Sequence, residues 1–101
     1  MYDINSTIGT LLHWTIVNIT DANINTGRLL ASYLGPLPPP GSGIHNYVFY
    51  LYEQTSEYDG PEIIDPNNIF TRVIPLETLL NDLNINSNSL LQITYFISYF
   101  V

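Results

Sequence analysis

Apolar and polar positions alternate most strictly in two runs. From His45 to Glu53 (HNYVFYLYE) a period of two puts His45, Tyr47, Phe49 and Leu51 on one face and Asn46, Val48, Tyr50 and Tyr52 on the other. From Leu90 to Val101, Leu91, Ile93, Tyr95, Ile97, Tyr99 and Val101 share a side against Leu90, Gln92, Thr94, Phe96, Ser98 and Phe100. Because this second run is apolar on both sides, it is expected to be central or covered. Leu11–Ile19 (LLHWTIVNI) is too short and too β-branched for a helix, and reads as a strand with His13, Thr15, Val17 and Ile19 on one face. Ile69–Ile74 reads as a brief strand. Only the stretch after Pro75 has the helical period. Leu76, Leu79, Leu80 and Leu83 line one face there and Glu77 sits near the positive end, which predicts a short helix to about Leu83.

The segments between are punctuation. Thr20–Gly27 (TDANINTG) is made of turn formers. Gly35–Gly43 (GPLPPPGSG) is stiffened by Pro38-Pro39-Pro40, which cannot join a sheet ladder, and is freed by Gly41 and Gly43 just before His45. Thr55–Asn68 reads as a long acidic loop and Asn84–Ser89 as the close of the helix. The expected fold is mainly β, antiparallel-dominated, with one short helix. A single domain over residues 11–101 follows an N-terminal arm over residues 1–10.

Composition narrows the function classes. The chain has 101 residues, a formal net charge of -7 and no lysine or cysteine, with Arg28 and Arg72 as its only Lys/Arg cations. Nucleic acid is therefore not an expected partner, and neither a disulfide framework nor thiol redox chemistry is available. The opening MYDINSTIGT lacks a cationic n-region and an apolar core, and the longest apolar run is short of a membrane span, so a cytoplasmic protein without stable membrane insertion is expected. With 11% charged and 46% hydrophobic residues, some apolar surface is expected to be covered by a partner.

The candidate chemistry lies at the mouth of the central run. His45 follows a Gly-Ser-Gly turn and shares a face with Tyr47, so ring nitrogens, a phenolic hydroxyl and backbone N–H groups converge as in a small anion site. Two buried histidines satisfied by the backbone, or by each other, would read the same way. His13 and His45 are too far apart in sequence for a compact zinc motif, and no dinucleotide motif precedes a helix, so no metal or cofactor is expected. Ser42 has no visible base-orienter arrangement beyond His45, and the paired acids Glu57/Asp59 and Glu62/Asp65 read as solvated turn residues. The expectation is therefore not an enzyme. A hydrolase using His45 as base is a third reading.

LLHWTIVN, a Gly-Arg-Leu segment, GPLPPPGSGIHNYVFYLYEQ, a short helix and a terminal aromatic strand together resemble the phosphatidylethanolamine-binding protein family, which includes Raf kinase inhibitor protein and the plant flowering regulators. The resemblance runs from about Leu11 and is most specific at the proline loop, G-x-H-x-Y-V-F and Y-E-Q. It implies that the family's pocket histidines fall on His13 and His45, the pocket tyrosine on Tyr47 and the loop proline on Pro38, with Leu37 and Gly43 framing the site. It also implies a shortened member, since the Asp-Pro-Asp-x-Pro motif whose acids line the pocket is not found, and Asn46 stands where the family has an arginine pairing with such an acid. The function implied is a non-enzymatic binding or regulatory protein. It would take a small anionic ligand, phosphate or a phosphoethanolamine headgroup, and engage a kinase or other signalling protein. A homodimer is expected to cover the exposed edges. The alternative is an oligomerising scaffold that has kept the fold and lost the ligand.

Overall fold

A computed structural model describes residues 1–99; Phe100 and Val101, the last positions of the expected terminal strand, lie outside the described residues. Among the described residues, six strands form one four-stranded and one two-stranded sheet, with a single α-helix. The centre of the larger sheet is β5 (His45–Tyr52). On one side it pairs antiparallel along its length with β6 (Leu90–Ser98), from His45↔Ser98 to Tyr52↔Leu90. On the other it pairs with β1 (Tyr2–Asp3), which in turn pairs with β2 (Leu11–Leu12), giving the order β2-β1-β5-β6. The smaller sheet joins β3 (Thr15–Val17) to β4 (Arg28–Ala31). Gly27 is required where β4 begins, because a Cβ there would stand 2.3 Å from Ile16 Cγ2.

The mainly β, antiparallel class and the single helix are as the sequence predicts. Helix α1 (Leu76–Asp82) starts after Pro75 and buries Leu79 and Leu80. It ends on Asn84, at φ 56°, with the Ile85 amide donating to the Leu80 carbonyl at 2.9 Å, the left-handed stop that asparagine tolerates. Its buried face meets a core of Tyr2, Leu12, Val17, Leu30, Ala31 and Ile64. Behind that core, Asn18, at φ 62°, locks the end of β3 to the acidic loop. Its side chain donates to the Tyr58 carbonyl and accepts from the Tyr58 amide and Gln54 Nε2, while its own amide donates to Gln54 Oε1.

Four elements differ from expectation. Residues 1–10 do not begin as an arm: Tyr2 is 2% exposed, and β1 is bonded on both sides. Leu11–Ile19 is two strands in two sheets. The break has a backbone cause, because the His13 and Trp14 amides both donate to the Met1 carbonyl and the His13 carbonyl accepts from the Leu34 amide at 2.8 Å. Ile69–Arg72 is a 3-10 turn and not a strand, since the Asn68 side chain caps it at the Phe70 amide, a local bond that competes with extended pairing. Finally, β6 is an edge strand of its sheet and not a central one, with Leu91, Ile93, Tyr95 and Ile97 all exposed.

Candidate functional site

His45 opens β5 directly after the proline–glycine loop, and its side chain is 1% exposed. Pairing of β1 with β5 sets Asp3 opposite Tyr47, two residues along, which brings the Asp3 carboxylate against the imidazole. His45 Nδ1 lies 2.7 Å from Asp3 Oδ2; the carboxylate only accepts, so Nδ1 donates. The other ring nitrogen, Nε2, lies 2.7 Å from Ser42 Oγ, and Ser42 Oγ is also 2.7 Å from the Pro39 carbonyl. The loop and the sheet are thus tied through one imidazole.

Tyr47, the next inward residue of β5, is 1% exposed. Its ring stacks on Phe96 at 5.1 Å and on His45 at 6.4 Å, and meets His13 edge-on at 5.2 Å. Burial, and then the neighbouring Asp3 carboxylate, push the Tyr47 hydroxyl up to about 12. His13 sits at the break between β2 and β3 and is buried. Its Nδ1 is 2.6 Å from the Leu34 carbonyl, so that nitrogen carries the hydrogen, while Nε2 is buried with no partner. Burial lowers the His13 pKa. The Leu34 carbonyl and Asp3 work against that shift, and the Arg72 guanidinium reinforces it.

Arg72 is buried in its turn and donates to the Leu12 carbonyl and to the Ser32 carbonyl and hydroxyl at 3.1–3.2 Å. On the rim, Asn5 Oδ1 accepts from the Asn46 amide at 2.8 Å and from Asn46 Nδ2 at 3.0 Å. Asn46, which stands where the family resemblance puts an arginine, is thus paired with a neutral amide. Of the residues expected at the site, His13, His45 and Tyr47 come together. Leu37, Pro38 and Gly43 belong to the loop above, with Leu37 80% exposed and Gly43 at φ 84° beside open space. Two clefts of about 630 and 670 Å³ open elsewhere, and neither is lined by Asp3, His13, Ser42, His45 or Tyr47. Among the described residues no group of three His, Cys, Asp or Glu is placed to hold a metal ion.

The family model for phosphatidylethanolamine-binding protein matches residues 1–88. The chain belongs to the phosphatidylethanolamine-binding protein family. The match begins at Met1, ten residues before the resemblance does, and so includes the segment that carries Asp3. The expectation that no acid stands beside the two histidines is corrected: the Asp3 carboxylate is 2.7 Å from His45 Nδ1. Among its relatives is "Putative odorant-binding protein A5" of Drosophila melanogaster, 41% identical over 51 residues that make up 50% of this chain and 24% of the relative. Another is "26 kDa secreted antigen" of Toxocara canis, 37% identical over 57 residues, 56% of this chain and 22% of the relative. The chain therefore spans about a quarter of the length of these curated relatives. No solved structure matched it.

Asp3 is not legible in the sequence, because the two-residue strand Tyr2–Asp3 ahead of an Asn-Ser-Thr turn carries no detectable period. A two-residue strand becomes visible only from its neighbours.

Proposed function

We propose that this family member is a binding protein for a small phosphorylated headgroup of the phosphoethanolamine kind, held at His13, His45, Tyr47 and Asp3 under the loop bearing Leu37, Pro38 and Gly43. The observation that carries the reading is the buried, unpartnered Nε2 of His13 beside the Asp3–His45 pair. A buried polar atom left without a partner costs about 1–3 kcal/mol, which a ligand bond would recover. With its hydrogen held at Nδ1, neutral His13 presents a lone pair, so the ligand brings the proton, as a phosphomonoester P–OH does near pH 6. Binding of this kind needs no turnover. A kinase or other signalling protein is the partner that the family resemblance suggests for it.

The test is an NMR titration of both imidazole rings with phosphoethanolamine near pH 6.5, where unperturbed histidines respond most. Saturable shifts on both rings are expected; two silent rings would sink the reading.

Self-association is a second reading, favoured by β6. This nine-residue strand has β5 as its single neighbour among the described residues, and its outward Leu91, Ile93, Tyr95 and Ile97 are more than half exposed. A second copy pairing β6 against β6 would cover that edge. Light scattering should give at least twice the 11.4 kDa chain mass, and a monomer at micromolar concentration would end this reading.

A further inference from the structure

Ser42 has no part in the core or in headgroup binding, yet its hydroxyl is the outer member of a continuous chain of contacts. Oγ is 2.7 Å from His45 Nε2, and the opposite nitrogen of that ring is 2.7 Å from the Asp3 carboxylate. We infer that Ser42, His45 and Asp3 form a serine–imidazole–carboxylate relay that makes Ser42 a nucleophile toward small activated esters. The roles follow from the geometry. Asp3, buried in β1, holds the hydrogen of His45 at Nδ1 and leaves the Nε2 lone pair facing Ser42. Tyr47 stacks on the ring and keeps its plane.

Access and charge stabilisation come from the loop. Ser42 is half-buried between Gly41 at φ 75° and Gly43 at φ 84°, and nothing lies within 4 Å of where a Cβ would stand on either glycine. Both flanking glycines are exposed, so the loop meets solvent on either side of Ser42. The developing oxyanion is placed at the Gly43 amide, in the position after the nucleophile. The Pro39 carbonyl competes for the hydroxyl hydrogen, and the relay is engaged when that hydrogen lies toward Nε2.

In the step itself, Oγ attacks the ester carbonyl carbon, and the Oγ hydrogen passes to His45 Nε2. The carbonyl electron pair moves to oxygen and returns as the bond to the leaving alkoxide breaks. That alkoxide takes the proton from Nε2 and departs as the alcohol. Water, deprotonated by the same Nε2, then attacks the acyl-serine, and the carboxylic acid leaves with Ser42 restored.

The test uses p-nitrophenyl acetate and an alkyl fluorophosphonate on the intact chain. One phosphonyl adduct per chain, mapped to Ser42, and an ester burst of the same stoichiometry are expected. Ser42→Ala should abolish the adduct and the burst, because it removes the attacking oxygen itself, and His45→Ala should slow both at least about 100-fold, the usual worth of a positioned base. Because ester turnover could be lost for other reasons, Ser42→Cys provides a second readout. Its alkylation by iodoacetamide should persist well below the pH at which a free thiol of pKa about 8.5 stops reacting. An unlabelled wild-type chain, an adduct mapped elsewhere, or a Ser42→Cys thiol with the pH profile of free cysteine would each overturn the inference and leave Ser42 as a tie between loop and strand.

Discussion

The regions around His45 and His13 share Tyr47 as a neighbour and are both buried, yet they treat the same side chain in opposite ways. At the mouth of β5, both nitrogens of His45 are bonded, one to a carboxylate and one to a hydroxyl that is itself tied to the loop. At the break between β2 and β3, His13 has a single carbonyl partner, a bare Nε2 and the Arg72 cation nearby. A buried imidazole is thus tied or unsatisfied according to what its second nitrogen meets: at His45 it meets the Ser42 hydroxyl, the contact the relay uses, and at His13 nothing. The first region joins loop to sheet. The second leaves a lone pair unused.

Asp3→Ala should have the largest effect. It removes the acceptor of a buried, hydrogen-bonded pair, and should cost about 3 kcal/mol in chemical denaturation while loosening the loop through Ser42. A loss below about 1 kcal/mol would mean that the carboxylate does not anchor His45.

His13→Phe should be much milder, within about 1 kcal/mol, because it gives up one bond to Leu34 but also removes the unpartnered nitrogen. It also sharpens the pH behaviour. The pKa of His13 is lowered in the folded state, so the unfolded chain takes up the proton first as pH falls below about 6.5. Stability contributed by neutral His13 is therefore complete above that value and declines from there down to the folded pKa. The groups facing the ring set the size of the effect: the Leu34 carbonyl and Asp3 oppose it, while Arg72 adds to it. Denaturation curves between pH 7 and 5 should lose part of their slope in His13→Phe, and an unchanged slope would show that His13 is not the group responsible.

What could be read directly from the chain were the features carried by periodicity and by local chemistry. The alternation of β5, the leucine face of α1, the stiff proline loop and the acidic loop after it are properties of neighbouring residues, and each appears where it was expected. His45 and Tyr47 were legible as one face of a strand for the same reason. The tertiary structure alone decided the rest, because it depends on partners distant in sequence. A two-residue strand has no period, so Asp3 acquires its place only by pairing with β5, and Leu11–Ile19 breaks at His13 only because Met1 and Leu34 compete for its backbone. The placement of β6 at an edge is likewise invisible in its own alternation, since side-chain pattern records which face is apolar and not whether another strand lies beside it.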